Sequence, residues 1–361
     1  MELEPLYNSS DGLPYNPGDV DIRQQAMPVD MLISMIEFGN IDLWNKEGFQ
    51  RSSGLWSREK QSRLIESLIM RIPIPIFYLD GSEKPWKIID GLQRITTLYQ
   101  FIHENDFVLT NLEYLKSLEN KTFDELPFNY QRVIRNAIIQ AYIINPGTPE
   151  RVKFSIFQRI NTGGEGLRPQ EIRNAFYRGR PLDFINSLSK SPEFLMATNN
   201  KVSVNRMRDD EFVLRFFAFY KFLEFYRPQM DQFLDYSMEQ IYKMNESGLE
   251  YIKDNFIKSM IACNHLFGEY AFTTQSPENY TKKLNRNIAL FECWSVNLAR
   301  LGNQEIDVLI DNKDHLLHSY YEMLKSDDFH KSISIHTSSK KAVTIRFNRV
   351  KELINTILNA Y

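Results

Sequence analysis

Apolar and polar positions divide the chain into two textures. From Pro28 to Phe38, Met31, Ile33, Met35 and Ile36 supply the apolar face of a predicted helix. Ser57 reads as the N-cap of a second helix, to about Met70, with Leu64, Ile65, Leu68 and Ile69 on its buried stripe. The apolar run Ile74 to Leu79 follows prolines and predicts a buried strand, and a further strand leads through Ile88-Ile89 to Asp90. A helix from about Tyr130 to Ala137 precedes a strand over Ile138 to Ile144, closed by Asn145-Pro146-Gly147. Thr148-Pro149-Glu150 combines a cap, a proline at the first helical position and an acid in the first turn. That helix runs to about Ile160, Asn161–Gly166 form a loop, and Pro169 restarts a helix carrying Ile172, Ala175 and Phe176.

Residues 1–26 are polar and turn-rich and read as a flexible arm. Residues 27–180 form a mixed α/β domain, and residues 181–361 a mainly α-helical one. In the latter, Phe212 to Phe225, Tyr251 to Phe267, Asn287 to Leu301 and Val343 to Leu358 show helical periodicity. Phe212–Tyr220 is dense in aromatics. Its all-round apolar character favours a buried helix over a base-stacking platform.

Composition narrows the function. With 43% hydrophobic and 13% aromatic residues, the 361-residue chain can build substantial cores and is expected to be globular. Its net charge of −3 disfavours a general nucleic-acid coat protein. Cys263 and Cys293, both in apolar helical stretches, do not make a disulfide framework and fit a reducing cytoplasm. No apolar run approaches the roughly 20 residues of a membrane span. The start, Met1-Glu2-Leu3-Glu4-Pro5, lacks the basic and apolar regions of a signal peptide, so a cytoplasmic protein is expected.

The stretch Trp86 to Leu98 reads as strand, sharp turn and helix, with Asp90-Gly91 at the turn. Gly91 allows the reversal. Ile95, Leu98, Tyr99 and Ile102 share one helical face. A helix N-terminus offers unpaired N–H groups to an anion, and Gln93 and Arg94 in the first turn can add donors. On spacing alone, Asp90 as a helix cap with Arg94 in a surface pair accounts for the same residues. A second candidate is Asn161–Gly166, where Gly163-Gly164 lets backbone approach a ligand. Residues 151–180 hold seven Lys/Arg against two acids. No GxxxxGK[ST] motif is present, and His315 and His318, at i and i+3, lack an acid-rich partner motif. No HNH-like cluster of histidines and asparagine is found.

Asp90-Gly91-Leu92-Gln93-Arg94 with Ile95-Thr96-Thr97-Leu98 resembles the DGQQR-(L)TTL signature of the family named for the N-terminal domain of GmrSD-type restriction enzymes. SspE-like phage-defence proteins share that domain. Phe49-Gln50-Arg51 with Trp56 resembles the family's "QR…W" entry, and Gln61–Leu68 followed by Pro73-Ile74-Pro75 its "LieSil…PiP" segment. Phe157–Gly164 and Leu167–Ala175 resemble "F.RiNtgG…L…EiRna". One departure stands out: Leu92 occupies a position where the family usually has glutamine, which removes an amide's donors and acceptor.

The resemblance implies a ParB/sulfiredoxin-like α/β fold that binds and hydrolyses a nucleoside triphosphate with Mg2+. It further implies action with an HNH-type nuclease, supplied here in trans, on DNA that includes modified phage DNA; homo-oligomerisation is left open. Asp90, Gln93 and Arg94 are the implied catalytic residues, and Asp90 also the metal ligand. Arg51, Gly91, Arg159, Asn161, Gly163, Gly164 and Arg173 are the implied nucleotide-binding residues. For Arg51, stacking on Trp56 is an equal alternative. A non-hydrolysing DNA sensor or scaffold is the rival function. Direct DNA cleavage by the domain itself is disfavoured.

Overall fold

β-Branched and aromatic residues alternating between two faces build a five-stranded mixed sheet, seen here in a computed structural model that describes residues 16–43, 56–160, 168–276 and 284–361. Its strands are β1 (Ile22–Pro28), β2 (Ile41–Asp42), β3 (Phe77–Asp80), β4 (Trp86–Asp90) and β5 (Ile138–Ile144), in the order β1-β5-β3-β4-β2. β5 runs parallel to β3 and antiparallel to β1, while β4 is antiparallel to β3 and parallel to β2. With the sheet go α1 (Val29–Glu37), α2 (Arg58–Ile69), α3 (Leu92–Ile102), α4 (Phe128–Asn136) and α5 (Glu150–Ile160).

One face of the sheet contributes Phe77, Leu79, Ile88, Ile139, Ala141 and Ile143 to a core shared with Leu32, Leu64, Ile65, Leu98, Phe101 and Ile134 of α1–α4. The predicted strand over Ile138 to Ile144 and the Ser57 cap of α2 are present, with Ser57 Oγ accepting from Lys60 N at 3.4 Å. Glu66, 3% exposed on α2, accepts three backbone N–H bonds, from Glu113, Tyr114 and Leu115, at 2.7–2.9 Å. Burial alone would raise its pKa. Those donors and Lys116 outweigh burial and hold the carboxyl below its ordinary range.

The flexible arm expected over 1–26 does not extend that far. Residues 22–28 pair along β5 as an edge strand, and the residues before 16 lie outside the described ones. Its polar residues Arg23 and Gln24 are exposed, which suits a sheet edge and hides the apolar alternation that signals a strand.

The chain divides into two units, Met1–Leu167 and Arg168–Tyr361, so the boundary falls before the Pro181 at which the texture changes. The second unit is mainly helical: α6 (Pro169–Phe176), α7 (Arg180–Ser189), α8 (Pro192–Ala197), α9 (Arg208–Phe222), α10 (Met230–Lys243), α11 (Glu246–Phe267), α12 (Ile288–Ala299), α13 (Asn303–Asp311), α14 (Lys313–Lys325), α15 (Asp327–Ser334) and α16 (Lys340–Ala360). Phe212, Phe216, Phe217 and Phe219 are fully buried, as the all-round apolar character of α9 requires. Beside them Glu292 is buried between Arg215 (2.7 Å) and Arg346. Cys263 and Cys293 are free and buried, and burial pushes both thiols up, Cys293 to about 12. No helix among the described residues is long and apolar enough to cross a membrane.

Candidate functional site

β4 does not run evenly into its turn. Tyr78 of β3 pairs with Asp90, but the next residue, Leu79, pairs with Ile88, so Ile89 is an extra residue in β4. Such a bulge reverses which face the following side chain takes. Ile88 faces the α1–α4 core, whereas Asp90 lies opposite Tyr78, on the other face. Gly91 then turns the chain with φ 98° and ψ 8°, and α3 starts at Leu92. A Cβ at Gly91 would stand 2.4 Å from Phe77 Cδ1, so both the backbone angle and the space select glycine.

Arg94 does not reach outward from this turn. It is 8% exposed, and its Nη2 donates to Asp90 Oδ2 at 2.7 Å and to the Ile76 carbonyl at 3.3 Å. Nη1 donates to the Pro75 and Ile76 carbonyls, and the guanidinium lies 4.6 Å over the Phe77 ring. Burial lowers the Arg94 pKa, and the Asp90 carboxylate pulls it back up. The expected helix cap is not what forms, since Gly91 is the N-cap residue and no side chain caps α3. The expected surface pair is a buried one. Asp90 keeps 32% of its side chain exposed, with Oδ2 fixed by Arg94. Gln93 Oε1 accepts from Trp56 N at 3.0 Å, and its amide nitrogen makes no hydrogen bond among the described residues. Leu92 packs against the core.

Arg173 sits in the helical unit and is 1% exposed. It donates to Asp235 (2.7 Å), Asp231 (2.6 Å) and Gln170 (3.3 Å), while Asn174 bonds Asp210 at 2.5 Å. Its guanidinium therefore ties α6 to α10, a structural pairing that the sequence spacing did not disclose. The seven basic residues of 151–180 are not one exposed patch. Lys153 is buried on Asp80 (3.2 Å) and Ser82 (2.9 Å), Arg173 is buried, and Arg180 pairs with Glu246 at 3.1 Å. Arg51, Asn161, Gly163 and Gly164 lie outside the described residues; Arg159 is placed in α5 by its backbone only.

Sequence reading also missed Lys153 as the anchor of α5. The Asp80-Gly81-Ser82 turn was the available signal: Asp80 Oδ1 accepts from Ser82 N and Oγ at 2.9 and 2.5 Å and presents its other oxygen to Lys153. Tyr78 and Tyr142, at matching positions in β3 and β5, carry no local motif signal either. Their rings meet at 5.4 Å. Burial, then Tyr142 and Asp90, push the Tyr78 phenol up. His315 Nδ1 lies 3.3 Å from Tyr361 Oη, and no three His, Cys, Asp or Glu groups among the described residues gather to hold a metal ion.

No curated protein and no solved structure matches the chain. Residues 33–178 do match a family, described as "GmrSD restriction endonuclease, N-terminal domain", in a span that contains the Asp90–Arg94 turn and runs on through α6. Residues 33–178 thus form a domain of the family of GmrSD restriction endonuclease N-terminal domains.

Proposed function

We propose that the mixed unit binds a magnesium nucleoside triphosphate at the Asp90–Gln93 turn, as the nucleotide-responsive part of a DNA restriction or defence system whose nuclease is a separate, HNH-type chain. The observation that carries this reading is the partly exposed Asp90 carboxylate, locked by Arg94 at the start of α3. A helix start favours phosphate, and a carboxylate held in one orientation can share a cation with it. The donor set fits Mg2+, which binds through one or two carboxylates together with substrate phosphates. Magnesium, when bound, neutralises charge developing on the phosphates. Asp90 would hold it through the oxygen that Arg94 leaves open, and the Gln93 amide would donate to a phosphate oxygen. Arg94 acts through Asp90 as a positioning residue. Arg51, Arg159 and Asn161–Gly164 complete the proposed cradle from the family motifs.

Leu92 favours a second reading, a non-hydrolysing sensor or scaffold that meets DNA. The residue in the family's glutamine position packs on the core and offers no polar group.

Titration calorimetry with the four magnesium ribonucleoside triphosphates tests binding, and phosphate release separates the two readings. Binding is expected for at least one nucleotide, weakened about tenfold or more by Asp90→Asn, in line with about 1.5–3 kcal/mol for a charged hydrogen bond. No heat for any nucleotide, or an unchanged Asp90→Asn, would overturn the proposal. The purified chain alone is expected to leave DNA uncut; metal-dependent cleavage abolished by Asp90→Asn would make the domain itself the nuclease.

A further inference from the structure

Tyr78 and Tyr142 occupy matching positions on the parallel strands β3 and β5. Their neighbours Phe77, Leu79, Ala141 and Ile143 all face the α1–α4 core, so alternation puts both tyrosines on the opposite face of the sheet. There they are half-buried rather than sealed, with ring centroids 5.4 Å apart and planes at 34°. A pair serving only to fill a core would be dry and flanked by apolar groups. This pair has polar groups beside it as well as buried Ile144, two residues further along β5. Asp90 is directly opposite Tyr78, turned to this face by the bulge. Gln140 lies two residues along β5 from Tyr142. Its Oε1 accepts from Gln24 at 3.3 Å, and its own amide nitrogen has no hydrogen bond among the described residues.

We propose that Tyr78 and Tyr142 form a stacking platform for the nucleobase of the bound nucleotide, with Gln140 reading the base edge. Half-buried aromatic rings on a sheet face stack any base, because every base has a π-face. Two strand spacings, about 10 Å, separate β4 from β5, a gap that a ribose and its phosphates bridge. The base would thus lie over β3 and β5, and the phosphates at the β4–α3 turn. This inference rests on the nucleotide reading above and adds to it the recognition of a planar heteroaromatic base.

The test compares magnesium ATP with magnesium tripolyphosphate, which lacks base and sugar. Tyr142→Leu is expected to weaken ATP at least about tenfold and to leave tripolyphosphate affinity unchanged, while Tyr142→Phe keeps both. Photolabelling of the unmodified protein with 8-azido-ATP needs no variant to fold, and peptide mapping should place the label on a peptide containing Tyr78 or Tyr142. Equal ATP affinity in Tyr142→Leu and parent, or a label on peptides with neither tyrosine, overturns the platform and leaves the phosphate turn standing. Failure of both ATP and tripolyphosphate to bind the parent protein overturns the nucleotide reading itself, and the platform with it.

Discussion

Arg94 and Arg173 both belong to the sequence pattern of one family, and both are buried against carboxylates, yet they leave different surroundings behind. Arg94 spends its donors on Asp90 and on two carbonyls at the entry to β3, and the carboxylate it holds stays a third exposed. Arg173 is enclosed by Asp231, Asp235 and Gln170 at the junction of α6 and α10. The difference lies in what each arginine presents, since a guanidinium that fixes a half-open carboxylate leaves a charged oxygen facing solvent. One that closes over two carboxylates joins helices. A motif arginine can thus serve the packing of the fold.

Removing Arg173 tests the closed side of this contrast and should have the largest effect. Arg173→Ala strands Asp235 in a buried site and is expected to destabilise the helical unit by about 3–5 kcal/mol, read by urea unfolding of the helical circular dichroism. Burial already holds the Asp235 carboxyl up at about 7 against the pull of Arg173. Without that pull its pKa rises further, so the deficit should be greater at pH 8 than at pH 6. A loss under about 0.5 kcal/mol would erase the distinction.

Gly91→Ala addresses the open side. The positive φ and the 2.4 Å approach to Phe77 together predict a loss of about 2–4 kcal/mol. Phe77→Leu in the same chain should recover part of it, measured as non-additivity in thermal unfolding. Additive losses would mean that the turn is not packed as described.

Glu66 gives the smallest and most pH-sensitive effect. Its folded pKa is below the ordinary 4.5, so its contribution is present above that pH and lost as pH falls through the folded value. Glu66→Gln should therefore destabilise by about 1.5 kcal/mol at pH 7, with the deficit shrinking below pH 4.5. A deficit independent of pH would show that the three N–H donors do not need the charge.

The long periodic elements were legible in the sequence. α2 with its serine cap, β5 with its closing turn and the strand–turn–helix around Gly91 follow from local rules of period, cap and backbone freedom. β1 was not, because an edge strand keeps polar residues on its open side. The carbonyl partners of Arg94 and the carboxylate partners of Arg173 were illegible for another reason. Arg173 meets Asp231 and Asp235 some 60 residues downstream, and Arg94 meets the Pro75 and Ile76 carbonyls, so neither pairing leaves a local spacing to read. A basic count over 151–180 took as one feature residues that tertiary pairing then separates.

The extra residue at Ile89 works like a skipped beat in a two-beat rhythm. Counted by strict alternation, Asp90 keeps step with Ile88 and belongs to the side of the α1–α4 core; the skip delivers it to the Tyr78 side at the last position before the turn. The same skip means that the pairing register of β4 is itself encoded information. Were Ile89 to pair regularly with Tyr78, every side chain of the turn would stay chemically intact and yet the carboxylate would go to the Ile88 side of the sheet.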